Sequence, residues 1–326
     1  MTTYKGINGF AVQSVATDPS PLDEGQVWYN NATYAFKLAD VTTVGTWAAG
    51  GNLPTALVNL AGAGSQTASV AFGGNTSPGA TVGTTQLYNG TSWTSSPVSM
   101  TTARADLAGT GSQTSAIAIG GNAPPFSAAS ESFNGTSWTN TPSLNTARSQ
   151  LGAAGISSTS ALAIGGFTGS NTGAIESYNG TSWTTSPATL GTVRRDMGAC
   201  GSQTSALAFG GITTVPVSSS ESWNGTSWTA TSSLNTARRS VRSSIQGTQT
   251  SALAFMGSGP TGATELWNGT SWTTNPNSMG TSRTQGGGTG TQIAALAFGG
   301  ETGVLSTATE EFSGPGTATA KTITTS

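Results

Sequence analysis

The chain has 326 residues, 35% of them hydrophobic and only 7% charged, with a formal net charge of −2, one cysteine and no histidine. Charge is far scarcer than the roughly 25% of an ordinary globular domain. The missing histidines exclude Ser-His-Asp and Cys-His nucleophile systems and His-ligated zinc or copper. A single cysteine excludes an intrachain disulfide framework, and the charge balance disfavours a nucleic-acid backbone as partner.

No apolar run approaches the roughly 20 residues of a membrane span. The start of the chain has neither the basic nor the apolar region of a secretory signal.

Residues 1–40 stand outside the periodic part of the chain. Two alternating segments, 26–30 and 34–38, flank Asn30-Asn31 and predict a β-hairpin. A hairpin of that size has too little core to be stable alone, so this stretch reads as an attachment arm.

Residues 41–312 are periodic. Asn-Gly-Thr-Ser-Trp-Thr begins at Asn89, Asn134, Asn179, Asn224 and Asn268, in steps of 45, 45, 45 and 44 residues. Apolar runs close on a Gly-Gly pair starting at Gly73, Gly120, Gly165, Gly210 and Gly299, with Met256-Gly257 in the remaining copy. Each unit reads as four short strands: a small-residue strand, a fully apolar one, one ending in an aromatic, and one starting at Trp. Asn-Gly between the last two predicts a two-residue type I′ turn. Four strands per roughly 45 residues is the signature of a propeller blade.

Six units contain the second strand, but only five contain the fourth-strand Trp: Trp93, Trp138, Trp183, Trp228 and Trp272. Trp47 lies 46 residues before Trp93. The chain is therefore expected to be an all-β, six-bladed propeller whose last blade takes its outer strand from around Trp47. Closure of that kind removes exposed strand edges. Residues 313–326 are Thr-rich and lack aromatics; they predict a loosely ordered tail or a strand paired elsewhere.

Most charges recur with the repeat. Arg104, Arg148, Arg194, Arg238 and Arg283 share one position, and Glu131, Glu176, Glu221, Glu265 and Glu310 share another. In the first unit both positions are uncharged, Leu57 and Gln86. Joint loss of cation and anion predicts a structural pair within each unit, because an unpaired buried charge is costly. The aromatics Tyr88, Phe133, Tyr178, Trp223, Trp267 and Phe312 share a third position and read as core. Cys200 reads as a buried packing thiol.

The candidate binding surface comes from this internal symmetry. Two residues after each Arg position lie Asn59, Asp106, Gln150, Asp196, Ser240 and Gln285, all polar. The next residues are Leu60, Leu107, Leu151, Met197, Val241 and Gly286. Strand alternation predicts that the apolar set packs between blades and the polar set rims an axial channel. That rim is either a hydrated lining or a pocket for a hydroxylated ligand, or for a cation near Asp106 and Asp196. The loops joining second and third strands (75–84, 122–128, 167–173, 212–217, 258–262 and 301–306) vary most, and Phe126, Phe167 and Val215 make some of them apolar. They mark this face as the one for specificity.

The recurrent Arg, the Gly-Gly doublet, the third-strand aromatic and the fourth-strand Trp together resemble the kelch repeat over about residues 42–312. The hairpin also resembles the sialidase Asp-box, with Asn in place of its Asp. Glu24-Gly-Gln-Val-Trp-Tyr-Asn30 resembles short modules of tailed-bacteriophage virion proteins, especially tail fibres.

These resemblances imply a non-enzymatic virion protein, tail- or fibre-associated. It would be held by other virion proteins through residues 1–40 and contact a host-surface glycan. The alternatives are a capsid decoration protein and a free, lectin-like carbohydrate-binding propeller. No cofactor, metal, nucleic acid or membrane insertion is expected. A copper-radical oxidase of kelch type would need His ligands.

Overall fold

The computed structural model describes every residue except 1–11, 20–25, 42–43, 77–79, 317 and 324–326. All regular elements among the described residues are β-strands, with no helix. The chain divides into two compact units, Thr46–Ser313 and a smaller one made of Met1–Gly45 with Gly314–Ser326.

The larger unit is β-propeller-like and contains six four-stranded antiparallel sheets. In the second sheet the strands are Ala108–Ser112, Ser115–Ile119, Ser130–Phe133 and Trp138–Thr141, in chain order from inside outward. The sixth sheet has Gly287–Gly290, Ala294–Phe298 and Thr309–Ser313, and its outer strand is Thr46–Ala49, with Phe312 opposite Trp47. The first innermost strand, Ala61–Gly64, lies against Ala108–Ser112 on one side and Gly287–Gly290 on the other.

Small residues line the inside because neighbouring sheets converge there. A Cβ on Gly109 would fall 2.6 Å from the Phe72 ring and 2.8 Å from the Gly62 carbonyl. Further out, the third-strand aromatic packs on the fourth-strand Trp, as in Phe133–Trp138 at 5.0 Å. That Trp also reaches the preceding sheet. Trp138 lies 4.9 Å from Phe72 and donates from Nε1 to Thr85 Oγ1 at 2.8 Å. Trp47 repeats every contact, with Phe312 at 5.0 Å, Phe255 at 5.3 Å and Thr264 Oγ1 at 2.9 Å. The inner turns add a second link: Gln113 donates to the Ser69 and Tyr88 carbonyls, and Gln66 to those of Ala295 and Phe312.

The Gly-Gly doublets have positive φ at both residues, 67° and 97° at Gly73-Gly74. A Cβ on Gly73 would meet the Arg104 carbonyl at 2.6 Å and Leu107 Cδ2 at 3.1 Å. Leu107 thus covers the doublet of the preceding sheet. The fifth sheet inverts this arrangement. Met256 holds the left-handed conformation at φ 59°, and its Sδ would lie 2.8 Å from a Cβ on Gly286. Large and small residues have exchanged places across that junction.

The Asn-Gly turns differ from the type I′ expectation. Tyr88 pairs with Trp93, so four residues form the loop, and only Gly90 has positive φ. Asn89 instead acts as an acceptor. Its Oδ1 takes hydrogen bonds from the Thr91 and Ser92 amides at 3.0 and 2.9 Å, the local capping that favours Asn in turns.

The smaller unit is a sheet ordered Gln13–Val15, Val27–Asn30, Ala35–Val41, Ala318–Thr322. Its first pair is parallel and the others antiparallel. The predicted hairpin starts its second strand one residue later than expected, because Tyr34 lies in the turn at φ 52°. Asp18 accepts from Trp28 Nε1 at 3.0 Å, Asn30 Nδ2 at 2.7 Å and Lys37 Nζ at 2.8 Å. Lys37, then Asn30 and Trp28, hold its carboxyl down at about 2. Of the C-terminal residues, Ala318–Thr322 form a strand, with Lys321 opposite Leu38. Glu24 and Gly25 of the phage-like segment lie outside the described residues.

Candidate functional site at the axial mouth

The six polar residues sit together, but not for the reason strand alternation suggests. Each lies just before an innermost strand in the left-handed conformation, at φ between 52° and 58°. Their backbones form a chain of hydrogen bonds from sheet to sheet. Asp106 N donates to Asn59 O at 2.9 Å, Gln150 to Asp106 at 2.8 Å, Asp196 to Gln150 at 2.7 Å, and Ser240 to Asp196 at 2.9 Å. Asn59 N donates back to Gln285 O at 2.8 Å. Asn and Asp tolerate positive φ best among residues with a Cβ; Gln and Ser adopt it here because the backbone chain requires it.

The apolar set packs between sheets as expected. Leu107, for example, joins Phe72 and Met100 of the preceding unit with Ala116 and Ala118 of its own sheet.

One residue of this site escaped the sequence reading. Arg242 donates from Nε to the Gly286 carbonyl and places NH1 3.9 Å from Asp196 Oδ1, while Ser240 Oγ donates to Asp196 Oδ2 at 2.7 Å. Its signal was present: it is the only charged residue in an innermost strand. Burial, then the Asp196 charge, raise the Asp106 carboxyl to about 6, with Arg242 opposing.

Beneath the mouth lies a cavity of about 70 Å³ walled by the six innermost segments, including Arg242, Ser243 and Ile245. Ile245 leaves its own sheet to pack with Ala61, Phe72 and Ala116, and Gln246 Nε2 reaches the Gly111 carbonyl at 3.4 Å. The fifth inner segment therefore reaches residues of the first and second sheets, and Ile245 lines the cavity.

The repeated charges serve the frame. The five pairs measure 2.9 Å (Arg104–Glu131), 3.0 Å (Arg148–Glu176), 2.7 Å (Arg194–Glu221), 3.0 Å (Arg238–Glu265) and 3.4 Å (Arg283–Glu310), all buried. Burial pulls the arginines below their usual range, and the partner carboxylates oppose it. Cys200 is fully buried and its thiol is pushed up to about 12, which makes it a poor nucleophile.

The loops of this face are partly locked. Phe126 and Phe167 meet edge to face at 5.7 Å, and the Arg195 guanidinium lies 4.4 Å over the Phe167 ring. Arg195 also donates to Asn171 Oδ1 at 2.5 Å, and Asn171 Nδ2 donates to Thr213 O at 2.8 Å. Val215 stands apart, 61% exposed.

The mouth thus gathers amides, a hydroxyl, two carboxylates and one guanidinium, with Asn59 Oδ1 buried and lacking a donor. Such a set recognises groups that bring hydrogen-bond donors. Among the described residues no three His, Cys, Asp or Glu side chains gather to hold a metal ion. No protein-family model matches the chain, and no curated protein matches it.

Proposed function

We propose that this chain is a non-enzymatic structural protein of a tailed-phage virion, a closed six-bladed kelch-like propeller associated with the tail or fibre. The smaller unit attaches to other virion proteins, and the loop face of the propeller contacts the host surface. The carrying observation is that segments from both sides of the propeller-like unit join one sheet, Ala35–Val41 with Ala318–Thr322, whose second strand belongs to the phage-like segment. Everything between them forms a self-contained unit, Thr46–Ser313.

Closure is supported by Trp47 and Gln66, which make the same contacts between first, fifth and sixth sheets that their counterparts make elsewhere. A binding rather than catalytic role is supported by the closed Arg–Glu pairs and the inert thiol. A free carbohydrate-binding propeller is the second reading, favoured by the polar acceptors at the mouth.

Mass spectrometry of purified virions tests the proposal. The chain should be found in the particle, and a variant lacking 1–45 and 314–326 should fold yet fail to be incorporated. Incorporation of that variant would overturn the attachment role.

A further inference from the structure

We propose that the cleft between the loops of the first and sixth sheets is a binding site for one neutral sugar residue. The cleft has a volume of about 310 Å³, and its lining includes Asn59, Asn75, Gln285, Glu301, Val304 and Leu305. Size places it at the lower end of small-molecule pockets, roughly 300–1,000 Å³, so it admits a single ring.

Its polar groups are held from behind. Asn59 and Gln285 are joined by the 2.8 Å backbone bond of the axial chain. Asn75 is fixed by backbone bonds to Val58, and its Oδ1 accepts from Thr81 Oγ1 at 3.1 Å, which leaves its amide hydrogens for a ligand. Asn59 Oδ1 is buried and has no donor. An acceptor left unmet is costly, and a hydroxyl of the occupant would meet it once the Asn59 side chain turns into the cleft that it lines.

Glu301 adds a second acceptor, and no cation lines the cleft, which disfavours an anionic ligand. A lone carboxylate is a poor set for a divalent cation. Val304 and Leu305 supply an apolar wall, Val304 being 72% exposed. Hydroxyls for Asn59 and Glu301, with a C–H face for the valine and leucine, describe a neutral pyranose.

At two other loop junctions side chains meet across the corresponding space. Phe126 and Phe167 are in contact between the second and third sheets, and Asn171 bonds across to Thr213 between the third and fourth. At the first–sixth junction a Cβ on Gly303 would meet nothing within 4 Å. The inference shares Asn59 and Gln285 with the axial mouth, but it stands whether or not the chain belongs to a virion.

The test is ligand-observed NMR and calorimetric titration of the full chain with glucose, galactose, mannose and N-acetylglucosamine at millimolar concentration. Dextran, galactan and mannan are run in parallel. Binding of a free sugar assigns a small-molecule pocket; binding of the polymers alone assigns a receptor for surface glycan.

In either case Glu301→Ala and Val304→Asp should weaken binding at least about tenfold, with unchanged melting temperature, because Val304 is exposed and the half-buried Glu301 side chain makes no ion pair among the described residues. Asn59→Gly, which keeps the left-handed backbone, should do the same, and Val215→Ala should bind like the parent. Absence of binding to all seven probes would overturn the site, as would binding that survives both Glu301→Ala and Val304→Asp.

Discussion

The first and second repeats build the same sheet with different chemistry at their most buried polar positions. In the second, Arg104 donates to the Gly120 and Ala129 carbonyls and to Glu131, which in turn accepts from the Thr101 and Thr102 amides. In the first, Leu57 fills the volume and Gln86 Oε1 accepts from the Thr55 amide at 3.2 Å. The requirement is thus an acceptor for the entering loop, and charge is one of two ways to meet it. A buried ion pair is weak evidence for extra stability, whereas half of one is strongly destabilising.

Four experiments break or sharpen this comparison. The largest effect is expected from deleting Thr46–Ala49, which strips the sixth sheet of its outer strand and removes Trp47 from its place against Phe312 and Phe255. Thermal unfolding should lose cooperativity, while deleting 1–45 with 314–326 should leave the transition intact.

Next, Arg104→Leu alone should cost about 3–5 kcal/mol by chemical denaturation, because Glu131 stays buried without its partner. Adding Glu131→Gln copies the first repeat and should recover a large part of that loss. Strictly additive losses would show that the two residues are uncoupled.

A smaller effect concerns the exchanged pair at the fifth junction. Gly286→Leu should cost about 1–3 kcal/mol by overpacking against Met256. Adding Met256→Gly restores the leucine-over-glycine arrangement of the other junctions and removes a left-handed methionine, so the double variant should recover much of that loss, the remainder coming from the Phe298 carbonyl that a Cβ at 286 would still meet at 2.8 Å.

The smallest effect concerns Asp106, whose counterpart in the first repeat is Asn59. Its folded carboxyl is raised from 3.8 to about 6. The unfolded chain therefore ionises first, and this residue's stability contribution, full below about pH 4, is lost as pH rises through 6. Asp106→Asn should then stabilise the protein by about 1–2 kcal/mol at pH 7 and leave it nearly unchanged at pH 4. A gain of equal size at both pH values would show that the left-handed backbone, and not the buried charge, sets the effect.

Much of this was legible in the chain itself, because repetition turns one sequence into six aligned ones. The spacing of Trp47, the joint loss of Arg and Glu in the first repeat, and the small residues of the inner strands each pointed to a contact that exists between named side chains. Periodicity reports what every unit must do, such as fill an interface or satisfy a buried donor.

What only the tertiary structure decided is what happens once. The exchange of Met256 and Gly286 joins two exceptions 30 residues apart, and their link is invisible until adjacent sheets are packed together. Arg242 and Ile245 line the central cavity at an inner strand only two residues long. The six left-handed residues owe their conformation to hydrogen bonds between sheets, and φ at a non-glycine residue leaves no periodic trace. The Asn of each outer turn shows the same limit in small. Its identity announced a turn, but whether its backbone or its side chain would make that turn was settled by the spacing of the two strands it joins.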